Sequence, residues 1–365
     1  MSKLFEPLAV GPMTLANRIS VAPMCQYSAV DGSMTDWHLQ HLGGLALSGA
    51  AMLVIEATGV TPEGRITHGC TGLYSDANEA SMKRVIDFVR SVSDIRLGIQ
   101  LGHAGRKASA ERPWEGRGPL EGEDEWLTIA PSAIPLAQGW PAPRAMDRGM
   151  MVSVRDAFVD SARRALRLGL DFVELHSTHG YLLSEFLSPL SNRREDTYGG
   201  NLENRMRFPL EVAAAVREAW PRDRALGAKI SGTDFAEHGW TGDDAVVYAR
   251  ELKRVGLDYV TVSGGGVVLD AKVPTGPGYQ VPYAERVRRE SGMTTGAVGL
   301  ITDPKQAEEI VASGKADFVS LARGLLFDPR WPQHAAVALG AEAKYPPQYQ
   351  RASPKLWPPG RTSKL

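Results

Sequence analysis

Three residues near the middle of the chain carry the side chains best suited to chemistry. His176 and His179 stand three apart and Tyr181 follows two further on, inside the run FVELHSTHGYLLSEFLSPLSNRREDTYGG. Imidazole N–H groups aimed at an oxygen stabilise the charge that gathers there when a conjugated carbonyl accepts hydride, and losing one such donor typically costs about 10²- to 10³-fold in rate. A phenol, with a reference pKa of about 10, can hand a proton to a carbanion carbon if it is held in place. The plainer readings are two structural histidines capping loops and a tyrosine in a pocket wall. Zinc fits less well, because a three-residue spacing without a nearby carboxylate triad or a further His is poor zinc chemistry. Lys229 adds a cation inside an apolar run, which is costly unless an anion faces it.

These groups need a frame. Phe172, Val173 and Leu175 form a short apolar run between Gly169 and Gly180, the pattern of a strand buried on both faces, and the polar residues leave its C-terminal end. Strands are expected at 18–22, 52–57, 97–101, 172–175, 225–231, 259–263, 295–299 and 318–322, with amphipathic helices between them, such as 156–168 and 244–255. Eight strands separated by helices favour a single-domain α/β fold, a (β/α)8 TIM barrel with long loops, over a doubly wound sheet. The Pro-, Gly- and Trp-rich segment 104–150 and the segment 187–200 both follow strands, where barrel enzymes place substrate loops. No GxGxxG occurs, and Gly264, Gly265 and Gly266 lack the spacing for a Rossmann pyrophosphate site. Gly299 after the seventh strand and Ala322, Arg323 and Gly324 after the eighth suit a phosphate better, through backbone N–H groups and a cation; two ordinary strand-to-helix turns are the alternative. From residue 345 the chain is Pro-rich and is not expected to be helical. It is either a surface strap or an arm reaching a neighbouring subunit, so the chain divides into a barrel, 1–344, and a tail, 345–365.

With 365 residues, 43% hydrophobic, the chain can bury a large core. Its formal net charge of -1, with both signs interspersed, gives no footprint for nucleic acid or an anionic membrane and favours a small-molecule partner. Cys25 and Cys70 are too few for a disulfide framework or an iron–sulfur cluster. With no secretory core and no run of 18 apolar residues, a soluble, cytoplasmic protein is expected. The last residues, Ser363, Lys364 and Leu365, spell a peroxisomal address in a eukaryotic host and are an accident otherwise.

Several runs are more specific together than apart: PMCQYS from Pro23, EATGVTPEGRI from Glu56, QLGHAGRK from Gln100, the run from His176 to Gly200, GPGYQVPYAERVR from Gly276 and GAVGLIT from Gly296. Through them the chain resembles, almost end to end, the old yellow enzyme family of flavin-dependent ene-reductases, in its bacterial xenobiotic-reductase branch. The resemblance implies an FMN barrel, likewise a homodimer or homotetramer, that is reduced by NADPH or NADH and then reoxidised by an activated alkene in ping-pong fashion. It implies that Ala22, Pro23, Met24 and Cys25 line the flavin edge, with the Cys25 thiol near N5 and C4=O, and that Ala57 and Gln100 meet the pyrimidine part of the ring. Lys229 would face the anionic N1–C2 edge of the reduced flavin, standing where relatives carry Arg. Gly299, Ala322 and Arg323 would hold the phosphate, Ala322 replacing a Gly and therefore requiring φ below zero. His176 and His179 would bind the substrate carbonyl, Tyr27 would line the pocket, Tyr181 would be the proton donor, and Arg351 would enter a neighbouring subunit's site. The rivals are a dienoyl-thioester reductase, whose cluster two cysteines cannot build, a non-catalytic flavin sensor and a metal-dependent aldolase using the His pair.

Overall fold

Eight parallel strands close on themselves in a computed structural model that describes residues 2–357. They are β1 (Ile19–Val21), β2 (Met52–Gly59), β3 (Arg96–Gly102), β4 (Phe172–Ser177), β5 (Ala225–Ser231), β6 (Tyr259–Ser263), β7 (Thr294–Ala297) and β8 (Phe318–Leu321). Each strand pairs with the next in sequence, and β8 returns to β1 through Val319↔Ile19 and Leu321↔Val21. The expected (β/α)8 barrel is therefore present, every strand within two residues of its anticipated ends.

Helices pack around the strands: α1 (Asp36–Ala46), α2 (Asp76–Val92), α3 (Arg148–Arg167), α4 (Leu182–Leu187), α5 (Leu202–Ala219), α6 (Gly242–Val255), α7 (Val281–Ser291), α8 (Pro304–Ala312), α9 (Arg323–Phe327) and α10 (Trp331–Ala338). Their starts are chemically marked. Thr241 caps α6 in a capping box with Asp244, and Asp303 accepts from Lys305 and Gln306 at the head of α8. Among the described residues no helix is long and apolar enough to cross a membrane.

Alternation along the strands separates two cores. Val173 and Leu175 of β4 join the large cluster between strands and helices, whereas Phe172 joins Met52, Val54, Ala225, Tyr259 and Phe318 inside the barrel. Phe172 and Tyr259 fit because they lie over glycines: a Cβ on Gly98 would sit 2.3 Å from the Phe172 ring, and one on Gly227 2.2 Å from Tyr259. A hairpin of Leu8–Val10 with Met13–Leu15 adds Val10, Met13 and Leu15 to this inner cluster and floors the barrel at the N-terminal ends of its strands. Ligands must therefore enter at the C-terminal ends.

The tail departs from its expected form. Pro347–Ala352 is a 3-10 helix, because Pro347, with φ already fixed, starts a turn more readily than it continues one. This segment lies against the barrel's own chain, with the Arg330 guanidinium 5.1 Å over the Tyr349 ring and Lys344 bonded to Asp94. Ser363, Lys364 and Leu365 lie outside the described residues.

Candidate active site

Period-two alternation in β4 puts Glu174 and His176 on the same inward face as Phe172. Glu174 is fully buried and accepts from Gln100 Nε2 at 2.7 Å and from Thr261 Oγ1 at 3.1 Å. Burial pushes its carboxyl up, and Lys229 chiefly opposes that. Lys229 stands beside His176 in register on β5, with 6% of its surface exposed. Burial pulls its ammonium down against the pull of Glu174, and it makes no hydrogen bond or ion pair among the described residues.

Beyond β4 the chain turns sharply. His179 adopts φ +63°, and Lys107 Nζ donates to its carbonyl at 2.8 Å and to that of Gly266 at 3.0 Å, so one ammonium ties the loops after β4 and β6 together. The same ammonium lies 5.0 Å over the Tyr181 ring. The His176 ring stands edge-on to His179 at 5.4 Å and to Tyr181 at 4.7 Å. His179 Nε2 is 2.7 Å from Ser263 Oγ, leaving Nδ1 as its other donor or acceptor. His176 Nδ1 is buried without a partner among the described residues. Burial first, then Lys229, holds both imidazoles well below the usual histidine range, and burial, with lesser help from Cys25 and Tyr27, pushes the Tyr181 phenol well up. Both imidazoles are thus neutral and the phenol protonated at neutral pH.

The loop after β1 runs from buried Ala22 through half-buried Pro23, Met24 and Cys25 to Tyr27, which takes φ +51° and stands edge-on to Trp114 at 5.9 Å. Ala57, at the upper end of β2, pairs in register with Gln100. Gly299 has φ +112°, and a Cβ there would sit 3.0 Å from the backbone nitrogen of Gln280, so this turn needs glycine. Ala322 has φ -108°, below zero as its side chain requires. Arg323 is exposed and forms no ion pair among the described residues.

The sequence profile of the NADH:flavin oxidoreductase / NADH oxidase family matches residues 3–342. The chain belongs to this family, that of old yellow enzyme. It is 45% identical over 350 residues to the NADPH dehydrogenase of Geobacillus thermodenitrificans, covering 95% of this chain and 98% of that one. It is 40% identical over 357 residues to the NADPH dehydrogenase of Bacillus cytotoxicus, covering 97% and 98%. Among solved structures it is similar to morphinone reductase, with a TM-score of 0.76 and 28% identity over 95% of this chain and 92% of that one. It shares its fold with 2-naphthoyl-CoA reductase, TM-score 0.83 at 22% identity, over 93% of this chain and 52% of that one. The protein is an oxidoreductase of the old yellow enzyme family, with FMN as cofactor and NAD(P)H as reductant.

The mouth of this flavoenzyme's barrel fits FMN. Among the described residues Lys229 offers a buried ammonium without an acceptor, and Arg323 an unpaired guanidinium at the start of α9. Of the residues singled out in the sequence, no contact joins Arg351 to the His–Tyr cluster; it lies exposed on the tail. Three residues of this region were not foreseen. Glu174 could have been, since Phe-x-Glu-x-His places it on the face of His176. Lys107 and Ser263 had no such signal, because their contacts join distant loops.

Proposed function

We propose that the enzyme reduces the activated C=C bond of α,β-unsaturated carbonyls, maleimides and nitroalkenes by a ping-pong mechanism, NADPH or NADH leaving before the alkene binds. The edge-to-edge cluster of His176, His179 and Tyr181 beside Lys229 supports this reading most directly. FMN supplies the hydride chemistry when bound; the chain supplies placement and charge.

Cys25 with Ala22, Pro23 and Met24 lines one edge of the ring, Ala57 and Gln100 meet its pyrimidine part, and Lys229 faces the edge where negative charge collects on reduction. Glu174 offsets the buried positive charge of Lys229 from below, so the ammonium has a protein counter-charge as well. Gly299, Ala322 and Arg323 take the phosphate. The imidazoles of His176 and His179 donate to the alkene's activating oxygen, with Ser263 fixing which nitrogen of His179 is free, and Tyr27 bounds the pocket. Tyr181 keeps its proton until the alkene carbon takes it. The tail, 345–365, brings Arg351 to the site of a neighbouring subunit in a cytoplasmic homodimer or homotetramer.

The test is anaerobic. NADPH added to the purified holoenzyme bleaches the flavin, and cyclohexenone restores the colour at a rate that saturates with its concentration. Bleached enzyme that no enone, maleimide or nitroalkene can reoxidise would rule the reading out.

A further inference from the structure

The register of β2 against β3 slips at one position: Ile55 pairs with Ile99 and Ala57 with Gln100, leaving Glu56 as the extra residue of a β-bulge. Bulges re-aim side chains, and this one sends Glu56 away from the barrel interior. The carboxyl group is 2% exposed. Its Oε2 accepts the backbone N–H of Gln26 at 2.5 Å, and its Oε1 lies 3.5 Å from Nε2 of His38, itself 1% exposed. His38 is fixed in turn, since Nδ1 accepts the backbone N–H of Thr35 at 3.0 Å in the capping box of α1, which leaves the imidazole proton on Nε2; that nitrogen and Glu56 Oε1 lie near each other without a hydrogen bond.

Gln26 lies between Cys25 and Tyr27. Its side chain is also tied down, Oε1 accepting from Trp37 Nε1 at 3.0 Å and Nε2 donating to the Met24 carbonyl at 2.9 Å. Ser28 Oγ donates to the Gln26 carbonyl at 2.8 Å, and Thr35 Oγ1 to that of Ser28 at 3.0 Å. The loop is therefore laced to the head of α1, and beyond Ala22, whose N–H donates to the Leu321 carbonyl of β8 at 2.9 Å, Glu56 anchors it to the barrel wall. The left-handed backbone of Tyr27 follows directly after it. After the nearby thiol of Cys70 and burial, the charge of Glu56 also helps push the Cys25 thiol up.

We propose that Glu56 is a positioning residue of the flavin site: backed by His38, it holds the Cys25–Tyr27 loop by the Gln26 backbone and so sets where the Cys25 thiol meets the cofactor. The proposal rests on the reading above that Cys25 lies at the flavin edge.

The experiment is a cycle of FMN midpoint potentials measured on holoenzymes: wild type, Cys25→Ala, Glu56→Met, Glu56→Gln, and Cys25→Ala with Glu56→Met. Glu56→Met removes the acceptor of the Gln26 N–H, and Glu56→Gln keeps one. The expected results are a shift in Cys25→Ala, a smaller shift of the same sign in Glu56→Met, recovery of most of it in Glu56→Gln, and a double variant indistinguishable from Cys25→Ala. Glu56→Met at the wild-type potential, or a Glu56→Met shift that survives undiminished without Cys25, overturns the proposal. So does a Glu56→Gln shift as large as that of Glu56→Met, which would mean that charge alone acts. An unchanged potential in Cys25→Ala sinks the flavin-edge reading first and this proposal with it. If Glu56→Met does not fold or retain FMN, His38→Asn takes its place in the cycle, keeping an acceptor for the Thr35 N–H while removing the group behind Glu56; the same sign and the same loss without Cys25 are expected.

Discussion

His176 and Tyr181 stand ring to ring at 4.7 Å, yet their expected tasks belong to the same half-reaction at different atoms, so substitutions should separate them. In stopped-flow traces, Tyr181→Phe is expected to slow reoxidation by cyclohexenone roughly 10²- to 10⁴-fold while NADPH bleaches the flavin at nearly the wild-type rate. His176→Ala should weaken binding of a para-substituted phenol and slow the same half-reaction; equal losses in both half-reactions would mark the imidazole as structural. A third residue governs stability. Burial pushes the Glu185 carboxyl up to about 8, with Arg106 chiefly opposing. The folded state therefore keeps a proton that the unfolded chain releases near the ordinary carboxyl value, and stability falls as pH rises between about 4.5 and 8 on its account. Glu185→Gln retains an acceptor for the Arg106 N–H, bonded at 2.9 Å, and should flatten that dependence and raise the melting temperature at pH 8 to 9. At this scale the sequence announced the His–Tyr cluster because its members stand within six positions. Glu174 was legible only by counting in twos through a run that looks apolar, and Lys107 not at all, since its partners, His179 and Gly266, lie 72 and 159 positions away.

The strands were legible because a barrel strand buried on both faces is a run of apolar residues between polar breaks, and all eight runs became strands. What happens inside an element was not. The bulge at Glu56 leaves no trace in composition, because the slip is a relation between β2 and β3 rather than a property of either. Pro346 and Pro347 argue against an α-helix in the tail but permit the 3-10 turn over residues 347–352. The turn after β7 offers a test at this scale. With φ +112° at Gly299 and the Gln280 backbone 3.0 Å from a Cβ there, Gly299→Ala costs about 1–3 kcal/mol in backbone strain and is expected to release FMN on dialysis. Retention of the full complement of flavin would show that the phosphate does not use this turn. By contrast, Ala322 tolerates its side chain because its φ is negative.

For the whole molecule, the tail raises the question of assembly, since Arg351 stands apart from the His–Tyr cluster of its own chain. If it serves a neighbour, mixing Arg351→Ala with His176→Ala subunits under conditions that exchange them should raise alkene reduction above the rate of either variant alone, because a hybrid oligomer contains sites with both residues intact. No recovery would confine Arg351 to the surface. The closure of the barrel has a different consequence. β1 joins β8, and the N–H of Leu4 reaches Glu308, 304 positions along the chain. On the ribosome, the first barrel strand to emerge waits for the last, and its hydrogen-bonding edge stays open throughout. Any sheet formed before Leu321 has left the exit tunnel has two unpaired margins, and that interval is when a chaperone protecting it would have to act.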